Sequence, residues 1–284
     1  MANGTPLSSP LILLCRLHYH YKDAAALWLV TFVQSIAPVS HNVLSSRMPW
    51  DILLIFFVLG VIVPWRGRAK LQHLLAKPRV EPAERISLYC STIAFQWLAT
   101  AVAGWRAWAH GFTATQLGLT IPERLTFLII TVAGAALIVM LQWLNLRRMG
   151  RSARPLRRPF QALAERILPQ SKAELISFFA LSVTAGLCEE FLYRGFAMAV
   201  LSRMGLPVGV VILFSSVIFG LAHLYQGRAG FVSTMVLGIL FGVSRAAFGS
   251  LVPAVVWHMG VDLVAGIAGP RYLIDTKPVT ETVV

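Results

Sequence analysis

Five ionisable side chains lie inside otherwise apolar segments of the second half of the chain. They are Glu189 and Glu190 in GLCEEF, His223 in GLAHL, and His258 and Asp262 in WHMGVDLV. Placing a charged side chain at membrane depth costs about 2.5–3.5 kcal/mol, and such residues usually face a polar cavity. A lone histidine in an apolar run is most often a structural group, but here two histidines accompany three carboxylates. The set therefore predicts a buried polar site.

Helical spacing groups these side chains into pairs. His258 and Asp262 are four residues apart, and so are Glu190 and Arg194, so the members of each pair share one face of a helix. Arg194 is therefore available to neutralise Glu190. Glu189 is turned about 100° around the helix from Glu190 and can point elsewhere. The site residues lie on at least three apolar segments, which must pack together as helices to form one site.

Two imidazoles and three carboxylates suit hydrolysis. A carboxylate in apolar surroundings becomes a better general base, and a nearby histidine can pass the proton on. Water activated in this way needs no serine or cysteine nucleophile, so we interpret Cys188 as structural although it adjoins Glu189. Two histidines with carboxylates are also an acceptable zinc ligand set, which a water usually completes in catalytic sites.

The composition places these segments in a membrane. Of the 284 residues, 57% are hydrophobic and only 13% are charged, whereas about 25% are charged in an ordinary soluble domain. We therefore expect an all-α, polytopic membrane helical bundle whose apolar surface contacts the lipid bilayer. The net charge of +13 comes from basic residues between the apolar runs rather than from one basic face, so we expect no nucleic-acid partner.

A spanning helix needs roughly 20 mostly apolar residues, and this length predicts about eight transmembrane helices. The predicted spans are 24–44, 50–65, 87–108, 125–146, 174–203, 207–223, 229–247 and 252–268.

Basic residues between the spans predict the orientation. Two predicted loops, 66–85 and 147–172, are both rich in arginine and lysine, whereas the predicted loop 110–124 holds only Arg124. Two spans separate the basic stretches, so both should lie on one side of the membrane, and the positive-inside rule makes it the cytoplasmic side. We expect a multi-pass protein of the cell (inner) membrane with both termini in the cytoplasm. No pattern of a cleaved signal peptide is present.

Three prolines in 147–172 suggest a joint between two halves. We therefore divide the chain into an N-terminal membrane half, 1–172, with about four helices, a catalytic membrane domain, 173–269, and a polar tail, 270–284. The three cysteines have no CxxC spacing, so neither a zinc knuckle nor a disulfide framework is expected. The sequence does not predict an oligomeric state.

Three short motifs resemble those of a known family. EEFLYR at 189–194 resembles EExxxR, FGLAH at 219–223 resembles FxxxH, and HMGVD at 258–262 resembles HxxxN/D. These are the motifs of the CAAX prenyl protease and bacteriocin-processing (CPBP, Abi) family of intramembrane endopeptidases. In this resemblance Glu190 and Arg194 match the second glutamate and the arginine of the first motif, and both are expected to belong to the catalytic site.

The resemblance implies roles for the remaining residues. Glu189 would activate the attacking water together with His223, while His258 and Asp262 would support the developing oxyanion or a metal. The cofactor would then be Zn²⁺ or another divalent ion, with Glu189, His223, His258 and Asp262 as its ligands, and no organic cofactor is expected. The substrate would be a membrane-associated protein or peptide, such as a prenylated CAAX protein or a peptide precursor.

One position departs from the prenyl endopeptidase pattern, which has asparagine where this chain has Asp262. An asparagine amide can donate a hydrogen bond to an oxyanion, whereas an ionised aspartate only accepts one. Asp262 is therefore either protonated, or a ligand of a divalent ion, or a residue that orients His258.

Two other classes of function compete with proteolysis. A proton- or metal-coupled transporter also needs buried glutamate, histidine and aspartate, but it would show inverted repeats or broken helices in both halves, and the buried polar residues are expected only in the second half. A membrane scaffold could keep the same fold without catalysis. A bis-histidine haem protein would leave the carboxylates without a role.

Overall fold

The computed structural model describes residues 48–152 and 154–274, with the backbone alone for 154–159. The described residues are mostly helical and contain no β-strand, so the all-α membrane bundle is confirmed. In chain order the helices are α1 (Trp50–Leu75), α2 (Pro82–Ala109), α3 (Leu125–Arg151), α4 (Arg154–Ile167), α5 (Lys172–Arg203), α6 (Val208–Ala222), α7 (Gly227–Phe248) and α8 (Val252–Leu273).

Six described helices are long and apolar enough to cross a membrane, namely α1, α2, α3, α5, α8, and α7 with the turn before it. The apolar helix α6 is shorter, with 15 residues. These seven segments correspond to seven predicted spans, while the predicted span 24–44 lies outside the described residues. The prediction of eight transmembrane helices therefore stays a prediction.

Local sequence signals explain where several helices begin and where one ends. The side chain of Glu81 and that of Glu84 form a capping box at the start of α2, and Pro82 occupies its first turn, where its missing N–H makes no difference. Ser171 caps α5 by accepting a hydrogen bond from the backbone N–H of Glu174. Gly249, with a φ of 66°, ends α7 in the left-handed conformation that favours glycine.

The two basic stretches lie at the same end of the bundle, as predicted. Arg166 donates to the carbonyl oxygen of Lys77 at 2.9 Å, and Arg85 of α2 forms a buried ion pair with Glu174 of α5 at 2.8 Å. At the opposite end, Arg203 donates to the carbonyl oxygen of His110. The structure thus places both basic stretches at one end of the bundle. The assignment of that end to the cytoplasmic side of the membrane stays a prediction.

The expectation that 66–85 and 147–172 are loops is wrong. Helix α1 continues through the first of these stretches to Leu75. Helix α3 continues to Arg151, and α4 follows directly. The reason is packing, because Ala164 and Leu168 form a buried cluster with Leu146 of α3 and Leu273 of α8. The segment is an additional helix at the basic end of the bundle, held by its apolar face.

Close packing brings α5 into the middle of the bundle, in contact with α2 on one side and α8 on another. Glycines permit two other close approaches. A Cβ at Gly238 of α7 would lie 3.0 Å from the Cβ of Ser216 on α6, and one at Gly242 would lie 2.9 Å from the side chain of Ile212. Small residues allow membrane helices to pack at such short distances. Helices α6 and α7 therefore form a tight pair beside α5.

Candidate active site

All six predicted site residues come together in the interior of the bundle. Helix α5 supplies Glu189, Glu190 and Arg194, His223 directly follows α6, and α8 supplies His258 and Asp262. The structure therefore has the expected cluster, with residues from α5, from the end of α6 and from α8. Within α5, the seven residues Phe191–Ala197 form a π-helical turn. Such turns are rare and often mark functional sites.

The deepest part of the site is a buried ion pair that also binds an imidazole. The Nη1 of Arg194 donates to Oε1 of Glu190 at 2.9 Å, and both side chains are fully buried. The Nδ1 of His258 lies 2.7 Å from the same oxygen. Two aromatic rings surround these groups: the Arg194 guanidinium lies 4.1 Å from the centroid of Phe219, and His258 stacks on Phe241. Glu190 thereby holds both Arg194 and His258 in place.

Glu189 faces a different direction, towards both histidines. Its Oε2 lies 3.9 Å from Nε2 of His223 and 3.9 Å from Nε2 of His258. Its other carboxylate oxygen, Oε1, accepts a hydrogen bond from Nε2 of Gln96 on α2 at 2.5 Å. The side chains of Glu189 and His223 are 16% and 17% exposed, whereas that of Glu190 is 0% exposed. Glu189 and His223 are therefore the more accessible pair, and Glu190 lies behind them.

The protonation pattern of His223 follows from its partner. The Nδ1 of His223 lies 3.0 Å from the backbone carbonyl oxygen of Phe219, one helical turn earlier. A carbonyl oxygen can only accept, so Nδ1 carries the proton. In the neutral imidazole, Nε2 then presents its lone pair to Glu189. The ring of Phe219 packs edge-to-face against His223, which gives both ends of the FxxxH motif a physical role.

Asp262 lies at the accessible edge of the site. Its Oδ2 is 3.7 Å from Nε2 of His258, and its side chain is 31% exposed. His258 is consequently flanked by carboxylates at both ring nitrogens, with Glu190 at Nδ1 and with Glu189 and Asp262 near Nε2. This position favours the interpretation of Asp262 as a residue that orients His258.

The predicted metal ligands do not form a metal-binding cluster in the described part of the chain. Ligand atoms of a tetrahedral zinc ion lie about 3.3 Å from one another, because each bond is about 2.0–2.1 Å long. Oε2 of Glu189 lies 3.9 Å from Nε2 of each histidine, and Oδ2 of Asp262 lies 3.7 Å from Nε2 of His258. As placed, these atoms lie about 0.4–0.6 Å farther apart than the ligands of a zinc ion, and a divalent ion at this site stays a prediction.

The sequence motifs do not indicate Gln96, because buried polar residues are expected only in the second half of the chain. That expectation is wrong, because the first half buries Gln96, Asp51 and Arg85. A usable signal was present: Gln96 is an amide in the middle of the predicted apolar span 87–108, where an unpaired polar group would be costly. The partner of Gln96, 93 residues later in the sequence, could not be predicted from local spacing.

Comparison with known proteins agrees with the motifs. Residues 171–264 match the family model of the type II CAAX prenyl endopeptidases, Rce1-like. The matched segment is about one third of the chain and contains all six predicted site residues. No curated protein and no solved structure matches the chain. The match confirms the predicted family resemblance and supports, in general terms, a CAAX-type intramembrane endopeptidase.

Proposed function

We propose that this protein is an intramembrane endopeptidase that hydrolyses a peptide bond of a membrane-associated substrate with a water activated by Glu189 and His223. One observation carries the proposal. A single carboxylate oxygen of Glu189 faces Nε2 of both His223 and His258 at 3.9 Å, inside an apolar bundle. A water molecule about 2.8 Å from the Glu189 oxygen and about 2.8 Å from a histidine Nε2 can bridge these two atoms.

The first step is the attack of water. Oε2 of Glu189 accepts a proton from the water, and the lone pair on Nε2 of His223 orients the same molecule. The water oxygen forms a bond to the carbonyl carbon of the substrate, and the π electrons of the carbonyl group move to its oxygen. General-base catalysis of this kind contributes about 10²–10⁴-fold to the rate.

His258 is placed to stabilise the resulting oxyanion. Its Nδ1 donates to Glu190, since an ionised carboxylate only accepts. The carboxylates of Glu189, Glu190 and Asp262 all lie within 4 Å of the ring nitrogens, and their negative charges favour the imidazolium form. Nε2–H then donates to the oxyanion, so Asp262 does not have to act as the donor that an asparagine would provide.

Collapse of the tetrahedral intermediate completes the reaction. The proton held by Glu189 passes to the nitrogen of the scissile bond, directly or through His223, and the C–N bond breaks. The products are a carboxylic acid, which then releases its proton to solvent, and an amine, and Glu189 returns to its starting state. The positions of Glu189 and His223 suit this exchange, because both are partly exposed while Glu190 and Arg194 are buried.

For the substrate, we propose a prenylated CAAX protein or a membrane-anchored peptide precursor. The support is the match of 171–264 to prenyl endopeptidases and the placement of the site among helices that can span a membrane. A divalent ion could draw the four candidate ligands together on binding, and a chelator would then abolish cleavage.

The test uses purified protein in lipid vesicles. Wild type and the variant Glu189→Ala are incubated with membrane-anchored peptides, including prenylated CAAX sequences, and the products are identified by mass spectrometry with and without chelator. We expect cleavage by wild type and a loss of about 10²–10⁴-fold in the variant. Loss of cleavage with chelator would add a metal to the site.

Absence of cleavage by wild type on every substrate would overturn the proposal. Ion flux through the same vesicles, abolished by Glu189→Ala, would then identify a transporter. The absence of both cleavage and flux would favour a scaffold. Arg228→Met serves as the matched control, because Arg228 is exposed at the start of α7 and should leave cleavage unchanged.

A further inference from the structure

We infer that Gln96, in the N-terminal half, is a positioning residue for the general base of the proposed endopeptidase. Its Nε2 donates to Oε1 of Glu189 at 2.5 Å across the contact between α2 and α5. This inference rests on the proposed function, since it assigns Gln96 a role in holding Glu189. It also extends the site beyond the segment 171–264 that matches the family model.

The orientation of the Gln96 amide follows from its partner. An ionised carboxylate can only accept hydrogen bonds, so the amide must present its NH₂ group to Glu189. With Oε1 of Glu189 held in this way, the plane of the carboxylate is fixed. Its other oxygen, Oε2, is then the one that faces Nε2 of His223 and Nε2 of His258. Rotation of the carboxylate would break the bond to Gln96.

The burial of Gln96 argues against a role in helix packing alone. Its side chain is 8% exposed, and its Oε1 has no hydrogen-bond partner among the described residues. A buried acceptor without a partner costs about 1–3 kcal/mol. A leucine at this position would connect α2 and α5 without that cost. The donor group of the amide therefore explains why a glutamine stands at this position, and its acceptor in the structure is Glu189.

The same helix contact provides a matched control. One residue further along α2, Nε1 of Trp97 donates to the hydroxyl of Thr184 on α5 at 3.3 Å. This bond crosses the same interface but does not involve a site residue. Thr184→Val removes the hydroxyl while it keeps the branched shape of the side chain. The variant thus measures what a lost polar contact between α2 and α5 does by itself.

The experiment measures kcat and KM of Gln96→Leu, Thr184→Val and wild type in vesicles, on the substrate that wild type cleaves. A misplacement of a catalytic group by about 1 Å can lower the rate about 100-fold. We therefore expect Gln96→Leu to lower kcat by about 10- to 100-fold. Its KM should stay within about twofold of the wild-type value. Thr184→Val should change neither constant by more than about twofold. Equal effects of both variants, or a kcat of Gln96→Leu within about twofold of wild type, would overturn the inference.

A second measurement does not depend on cleavage. In infrared difference spectra, the carboxylate stretching band of Glu189 is identified as the band that Glu189→Gln removes. We expect this band to shift in Gln96→Leu and to stay in place in Thr184→Val. If wild type cleaves nothing and the band still shifts, the proposed function fails but the contact stands. If the band does not move, Gln96 does not hold Glu189 and the inference is wrong.

Discussion

Arg194 provides the sharpest test of how the site is held together. Its guanidinium and the carboxylate of Glu190 are both 0% exposed and 2.9 Å apart. In the variant Arg194→Met the aliphatic part of the side chain keeps much of its volume, but the positive charge is lost. Glu190 then retains His258, at 2.7 Å, as its described hydrogen-bond partner. The variant therefore isolates the effect of removing the guanidinium from a buried carboxylate.

The expected magnitude follows from this burial. Removing one partner of a buried ion pair costs about 3–5 kcal/mol, because the remaining charge is still desolvated. The guanidinium also lies over the ring of Phe219 at 4.1 Å, a contact that adds about 2 kcal/mol when it is desolvated. We expect Arg194→Met to lower the free energy of unfolding by about 3–5 kcal/mol or more. Neutralising both partners, in Glu190→Gln with Arg194→Met, should restore a large part of that loss.

The assay is reversible unfolding in mixed detergent micelles, followed by tryptophan fluorescence. Arg228→Met is the control, since Arg228 is exposed, and its effect should stay within about 0.5 kcal/mol. Unfolding of Arg194→Met at the same detergent composition as wild type would contradict this expectation. A loss of stability in the double variant equal to the sum of the losses in the two single variants would contradict it as well, because the two charges would then be independent.

Two further predictions concern neighbouring positions. Asp262→Asn should keep cleavage within about tenfold of wild type, because the amide can still contact His258 and can donate to the oxyanion, whereas Asp262→Leu should lower kcat by more than tenfold. Kinetics on one substrate would check both, and equal losses in the two variants would contradict the proposed role. Gly195→Val should destabilise the bundle by about 1–3 kcal/mol, because a Cβ at Gly195 would lie 3.0 Å from the carbonyl oxygen of Leu117. Unfolding in the same micelles would check it, and wild-type stability would contradict it.

The parts of the site that depend on helical periodicity could be predicted from the sequence. A spacing of four residues places Arg194 beside Glu190 and Asp262 beside His258, and the structure has both pairs. The apolar runs likewise predict an all-α membrane bundle, since a spanning segment must satisfy its own backbone hydrogen bonds. These features are local, and the pattern of residue types is sufficient to indicate them.

Contacts between distant segments could not be predicted in the same way. Gln96 is 93 residues from Glu189, and no periodicity relates a residue on α2 to one on α5. The π-helical turn Phe191–Ala197 also has no distinct composition, because it depends on how α5 packs. The helix α4 was missed since its prolines and arginines resemble a loop, whereas the apolar residues Ala164 and Leu168 pack it against α3 and α8.

The most direct test of the central claim is the single-turnover rate of cleavage by Glu189→Gln, His223→Asn and the double variant in lipid vesicles. If both residues act on one water, the cleavage rate of each single variant should fall by about 10²–10⁴-fold. The double variant should be no slower than the slower single variant, because residues that act as a unit do not have additive effects. Cleavage by Glu189→Gln at the wild-type rate, or losses that multiply in the double variant, would contradict the account.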